Sequence, residues 1–320
     1  TLYRTSGDSA IAKALQTAAR NGKQVAVLVE LRARFNEESN IAWARRLEAA
    51  GAHVVYGIVG YKTHCKAALV VRQEADGLRR YCHLATGNYN DTTARFYTDF
   101  GLFTCQEEFG EDLGKLFNLL TGYSRPENLN QILIAPIGMK ERFIEKIRRE
   151  MDHAREGRPA HIRVKVNALT DPDVIAALYE ANAAGVPVEA IVRGICALKP
   201  AMYGLSERIR VYSIIDRFLE HARIFCFENG GDREYWLSSA DWMSRNLNDR
   251  IEVAFPVLDP VLQAQIEEVL QIQLADTVKA RVLLSDSSSV RKVVRGEPVR
   301  SQERLMRLAM LRAGKQKTES

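Results

Sequence analysis

A duplication constrains this chain more than any other feature, because a repeated unit fixes the architecture of both copies at once. Residues 8–22 read Asp-Ser-Ala-Ile-Ala-Lys-Ala-Leu-Gln-Thr-Ala-Ala-Arg-Asn-Gly, and Gln-Val-Ala-Val-Leu-Val follows at 24–29. Residues 171–185 read Asp-Pro-Asp-Val-Ile-Ala-Ala-Leu-Tyr-Glu-Ala-Asn-Ala-Ala-Gly, and Val-Glu-Ala-Ile-Val follows at 188–192. Laying Gly22 on Gly185 gives an offset of 163, which brings Asp8 onto Asp171, Leu15 onto Leu178, Ala18 onto Ala181 and Val25 onto Val188. Each copy predicts a capped helix, a glycine stop and a short β-branched strand. That is the helix and second strand of a β-α-β unit, so two α/β domains are expected. The length of 320 residues agrees, at about 150 residues per domain.

Further strands are predicted at 2–4, 54–59, 64–71 and 80–84, and in the second half at 162–168, 210–214, 221–228 and 234–237. Helices are predicted at 107–120, 139–156 and 300–312. The turn-rich stretch 121–128, Thr-Gly-Tyr-Ser-Arg-Pro-Glu-Asn, predicts a boundary between a first domain at 1–128 and a second at 129–320. No run of about 18 apolar residues occurs, so no membrane-spanning helix is expected. The start, Thr1-Leu2-Tyr3-Arg4, has neither a basic n-region nor an apolar core and reads like the middle of a strand. A chain cut from a longer one is therefore expected. Five cysteines without a C-x-x-C pair argue against a disulfide framework and for a reducing cytoplasm. Residues 281–320 carry ten Lys/Arg against four Asp/Glu, a basic tail suited to a polyanion or to peripheral membrane contact.

The histidines carry the chemistry. Of six, His53, His83, His153 and His161 have no counterpart in the other half and are read as structural. His64-Cys65-Lys66 and His221-Ala222-Arg223 each open an apolar strand, 157 residues apart. Thr86-Gly87-Asn88 follows the first and Ser239-Ala240-Asp241 the second; Asp99 and Glu252 each lie 11 residues further on. Strand alternation sends residues i and i+2 to one side, so each imidazole is expected beside its cation. Neutral imidazole attacks phosphorus while Lys66 or Arg223 holds the anionic oxygens, and Asp99 or Glu252 is placed to orient a ring nitrogen. Cys65, on the opposite face, is read as core. There is no G-x-x-x-x-G-K-[ST], no G-x-G-x-x-G and no H-E-x-x-H, so phosphate must be handled by His, Lys and Arg.

On these residues the chain resembles the phospholipase D superfamily, whose two similar α/β domains, each a mixed sheet flanked by helices, share an active site between them. Longer strings are similar to the polyphosphate kinase family: Tyr3-Arg4, Val29-Glu-Leu-Arg-Ala-Arg34-Phe, Lys62-Thr-His64-Cys-Lys66, His83-Leu-Ala-Thr-Gly-Asn-Tyr-Asn, Ile191-Val-Arg193-Gly, His221-Ala-Arg-Ile-Phe and Ser238-Ser-Ala-Asp-Trp-Met. The resemblance implies reversible transfer of the terminal phosphate of ATP to polyphosphate, with Mg²⁺, in the cytoplasm. It makes His64 the phosphohistidine nucleophile, with Lys66, His221 and Arg223 as catalytic partners. Tyr97, Arg193, His221 and Asn88 fall to the nucleotide and its phosphates. Arg4 and Arg34 fall at the metal–phosphate site; a guanidinium has no lone pair for Mg²⁺, so phosphate oxygens are assigned to them. The resemblance further implies N-terminal domains in the parent chain, a homo-oligomer of the full-length protein, and no specific nucleic acid. Val71 stands where phospholipase D patterns have an Asp, which weakens a phosphodiesterase reading. A phosphodiesterase and a non-catalytic polyphosphate-binding fragment are the alternatives.

Overall fold

The computed structural model describes the chain apart from residues 4, 32–36, 123, 125, 294–295 and 319–320. It divides into two compact units. The first contains Thr1–Phe143, His221–Arg223 and Leu237–Pro256; the second contains Ile144–Glu220, Ile224–Trp236 and Val257–Ser320.

In the first unit, strand Ala26–Leu28 pairs in parallel with His53–Val55, and Leu2 bridges Val29 in parallel. Helices Ala10–Arg20 and Glu37–Ala49 belong to this layer, whose core is Leu2, Val27, Val29, Ala44, Leu47 and Ala52. A nine-residue hairpin, Lys66–Glu74 against Gly77–Ala85, is joined by Gly101–Thr104 in an antiparallel sheet. Helix Glu107–Gly122 lies close to this sheet, where a Cβ at Gly110 would sit 2.7 Å from the Arg80 side chain. Strand Arg250–Pro256 pairs in parallel with Lys62–Thr63 and antiparallel with Leu133–Ala135.

The second unit has a parallel centre. Val188–Val192 lies between Ile162–Val166 and Ile209–Ile214, parallel to both. Ile162–Val166 is buried at every position, as a strand covered on both faces requires. Antiparallel strands flank this centre: Ala280–Leu283 beyond Ile209–Ile214, and Arg223–Phe227 beside Ile162–Val166 from Ile224 to Phe227. Helices Pro172–Ala183 and Pro260–Leu274 both begin on an Asp–Pro step. Asp171 and Asp259 accept the first backbone N–H groups, and the proline occupies a position whose N–H would have no partner.

The repeat is present in both halves, with one local difference. Asp171 caps its helix, but in the first copy the cap is Ser9, whose hydroxyl accepts from Ala12 N at 3.2 Å. Asp8 instead pairs with Lys13 at the surface. Without a proline to fix the first helical residue, the helix starts one position later. Two further long helices, 37–49 and 260–274, were not among the sequence expectations.

Candidate phosphoryl-transfer site

Both matched histidines lie in the first unit, since His221–Arg223 belongs to it. Each sits at a break between strands rather than inside one. Lys62–Thr63 ends before His64 and Lys66–Glu74 begins after Cys65; Leu219–Glu220 ends before His221 and Arg223–Phe227 begins after Ala222. At the first break the Ile251 carbonyl accepts from both His64 N and Cys65 N at 2.9 Å, a two-against-one bulge that re-aims the side chain. At the second, Ala222 N donates to the Thr98 carbonyl.

The break changes what the His-x-cation spacing achieves. In both copies the cation folds back onto the carbonyl of its own histidine: Lys66 Nζ donates to His64 O, and Arg223 Nη1 donates to His221 O at 2.9 Å. Imidazole and cation do share a side, as expected, but by this bond rather than by regular alternation. Tyr3 backs both groups in the first copy. Its ring meets His64 edge-on with centroids 4.6 Å apart, and Lys66 Nζ lies 5.4 Å from its centre. Cys65 is core, at 1% exposure.

The carboxylates are exchanged between the halves of the sequence. His64 Nδ1 is 2.9 Å from Glu252, 188 residues away, and His221 Nδ1 is 2.9 Å from both oxygens of Asp99, 122 residues away. Each carboxylate has its own supports. Ser239 Oγ and Asn246 Nδ2 donate to Glu252, and Thr86 Oγ1 donates to Asp99 at 2.6 Å. The glycine of Thr-Gly-Asn has a steric reason: a Cβ at Gly87 would lie 2.4 Å from the Asp99 carboxyl carbon. Asn88 follows, with a buried Oδ1 that has no hydrogen-bond partner among the described residues. Asp241, the counterpart of Asn88, forks onto Arg223 at 3.2 and 3.0 Å. Tyr97 stacks at a tilt on His221, centroids 4.9 Å apart.

Burial sets the protonation states. It drives His64 well below the ordinary histidine range, helped by the charges of Lys66 and Arg223. His221 is pushed down to about 4 by burial and then by Arg223, against the pull of Asp99. Lys66 falls to about 7 by burial, with Glu252 opposing. Burial would raise Asp99, but the His221 and Thr86 hydrogen bonds outweigh it and hold the group below its usual value. Burial pushes Glu252 up, against Lys66 and the Ser239 hydroxyl. Both imidazoles are therefore neutral near pH 7. With Nδ1–H given to a carboxylate, the lone pair of each is on Nε2.

There the two sites part. Arg223 Nη1 lies 3.1 Å from Nε2 and 3.4 Å from Nδ1 of His221, alongside the ring rather than in line with the Nε2 lone pair. Among the described residues nothing hydrogen-bonds Nε2 of His64. Arg193 belongs to the second unit, just past strand Val188–Val192. Its Nε donates to Asn167 Oδ1 at 2.9 Å and to the Glu220 carbonyl at 3.0 Å. Arg4 and Arg34 lie outside the described residues. Among the described residues no three His, Cys, Asp or Glu gather as metal ligands, and Asp99, Asp241 and Glu252 are committed to imidazole or guanidinium partners. The donors around the histidines suit phosphate oxygens rather than a bare divalent cation. Sequence reasoning had flagged Asp99 and Glu252 but not the exchange between them. It passed over Tyr3, Thr86 and Ser239, whose only signal was membership of the quoted strings or of the Thr-Gly-Asn and Ser-x-Asp turns, and Asn246, five residues after Asp241.

Two histidines in repeated α/β segments, each paired with a cation at +2 and a distant carboxylate, lie in a duplicated α/β fold of a kind seen in other proteins. A phosphatidylserine synthase from Haemophilus influenzae shares this fold, with a TM-score of 0.57 at 12% identity, covering 95% of this chain and 85% of that one. Residues 1–126 match the family model of polyphosphate kinase C-terminal domain 1, and residues 132–302 that of C-terminal domain 2. The chain belongs to the polyphosphate kinase family. It is 58% identical to the polyphosphate kinase of Thermosynechococcus vestitus over 90% of its own length and 39% of that protein's. The crystal structure of polyphosphate kinase from Porphyromonas gingivalis superposes with a TM-score of 0.90 at 41% identity, covering 99% of this chain and 48% of that one. The chain thus spans less than half the length of these two polyphosphate kinases.

Proposed function

We propose that this chain carries the catalytic centre of an ATP:polyphosphate phosphotransferase working through a phosphohistidine at His64. The observation that carries the assignment is the difference around the two rings: Arg223 lies against both ring nitrogens of His221, whereas among the described residues nothing hydrogen-bonds Nε2 of neutral His64. In the first step the Nε2 lone pair attacks the γ-phosphorus of MgATP, and the bond to the β,γ-bridging oxygen breaks, releasing ADP. Glu252 receives the Nδ1–H hydrogen bond and stabilises the imidazolium character that develops. Lys66 and Arg223 neutralise the non-bridging oxygens, and Asn88 joins them through its NH₂; the family reading gives Arg193 to the nucleotide phosphates. Mg²⁺ enters as part of the nucleotide rather than as a resident of the chain. In the second step a terminal oxygen of polyphosphate attacks the phosphoryl group, the P–N bond breaks, and the pair returns to Nε2. Tyr97 offers an aromatic face beside His221 for the nucleotide. His221 is neutral before substrate arrives; polyphosphate charge beside it favours the imidazolium and makes it a proton donor.

The test is incubation with Mg²⁺ and γ-³²P-ATP. Acid-labile, alkali-stable label on the protein, lost in His64→Ala, is the expected result. Label that survives in His64→Ala would sink the assignment.

A further inference from the structure

The strand ahead of His221 is held by a buried polar network that this chemistry does not use. Glu220 is 2% exposed, and its carboxylate receives Lys165 Nζ at 3.0 Å, Gln273 Nε2 at 2.7 Å and Gln302 Nε2 at 2.7 Å. Gln302 is the second residue of helix Ser301–Thr318 and is itself buried. Its Nε2 also donates to Phe218 O at 2.9 Å, and its Oε1 accepts from Phe218 N at 2.8 Å. One side-chain amide thus satisfies both backbone groups of residue 218 and grips the carboxylate of residue 220. The Glu220 carbonyl is in turn an acceptor for Arg193 Nε, alongside Asn167. The helix start is pinned separately: Arg300 forks onto Asp216 at 2.7 and 2.8 Å, and Ser301 N donates to Asp276 at 2.7 Å.

We propose that Gln302 is a positioning residue for Arg193, fixing the Leu219–Glu220 backbone whose carbonyl sets the guanidinium. The proposal rests on the reading of Arg193 as a nucleotide-phosphate residue. A guanidinium recognises phosphate through a rigid fork, so rotating it by a displaced acceptor costs affinity without removing any charge. A carboxylate buried among Lys165, Gln273 and Gln302 is a costly way to fill space, and well-packed apolar side chains do that as well. What the network adds is a defined position for the carbonyl.

Calorimetric titration of MgADP into the whole protein that carries this chain tests it. Gln302→Met keeps the side-chain volume and removes all three bonds; about tenfold weaker ADP binding is expected, the equivalent of one mispositioned hydrogen bond. Arg300→Gln loosens the same helix start without touching Glu220. It should lower Tm and leave ADP affinity within about twofold, as expected of a change remote from the network. In an Arg193→Ala background Gln302→Met should cost no further affinity, because a residue that acts through Arg193 has nothing left to position. Additive losses in that double variant, or unchanged affinity in Gln302→Met while Arg193→Ala weakens binding, would overturn the proposal alone. Unchanged affinity in Arg193→Ala would remove the nucleotide reading of Arg193 and the proposal with it.

Discussion

The two histidine sites are built to one plan and charged differently. Each has a histidine at a strand break, a cation bonded to that histidine's carbonyl, and a carboxylate from the other half of the sequence on Nδ1. At His221 the cation is neutralised, because Asp241 forks onto Arg223. At His64 the residue in the Asp241 position is Asn88, and Lys66 has no carboxylate within ion-pair distance among the described residues. Duplication supplied two equal scaffolds, and two side-chain changes separate them. One site holds a buried Lys66 that makes no ion pair among the described residues, beside a His64 Nε2 that none of them hydrogen-bonds. The other holds a locked guanidinium that covers its own histidine.

The largest effect should come from the carboxylates. Glu252→Gln should slow phosphoenzyme formation a hundredfold to ten-thousandfold, roughly the range for losing a residue that orients a catalytic imidazole. Asp99→Asn should slow that half-reaction far less; rapid-quench rates that fall equally for both would break the asymmetry. Next comes Lys66→Met, expected to cost on the order of a hundredfold or more in the same rate, by analogy with deleting one donor to a developing anion. For stability, Asp241→Asn leaves Arg223 buried without its counter-charge, and a loss of about 3–5 kcal/mol is expected in denaturant titration. The equivalent change on the other side, Asn88→Asp, should slow labelling by placing a carboxylate beside Lys66.

The pH response sharpens the comparison further. His221 titrates at about 4 in the folded chain and at about 6.5 unfolded. Between those values the unfolded chain binds more protons, so the contribution of His221 to stability is full above pH 6.5 and drains away towards pH 4. His64 shifts in the same direction and adds to that loss. In the free protein the Lys66 cation is lost as pH rises through about 7. The kcat/KM profile should therefore fall on its alkaline side near neutrality, and Lys66→Arg, which stays charged, should remove that limb if the buried site accommodates it. The smallest effect separates the helix caps. Ser9→Ala and Asp171→Ala should each cost about 1 kcal/mol, whereas Asp8→Ala, exposed and outside the cap, should be nearly silent.

Much of the site was legible because duplication writes the same physics twice. The helix-glycine-strand pattern, the His-x-cation pairs and the matched 11-residue spacing to Asp99 and Glu252 all depend on local periodicity, which a linear sequence displays. The exchange of carboxylates did not show, because either pairing satisfies the same spacing. Only the placement of 221–223 and 237–256 in the first unit decides that Glu252 serves His64. The strand was expected to open at His64, but it begins at Lys66. A single carbonyl, Ile251 O, taking the N–H groups of both His64 and Cys65 makes the bulge that delays it.

The sequence by itself determined the two α/β copies and the residue types at the reacting centre, because periodicity and spacing specify those, and its longer strings carried the resemblance to a phosphate-handling family. Tertiary structure alone decided which carboxylate serves which histidine, which cation is neutralised, and that burial is what lowers both imidazoles. Those properties depend on burial and on contacts across 122 to 188 residues, and desolvation exists only once the chain has closed around the groups it desolvates.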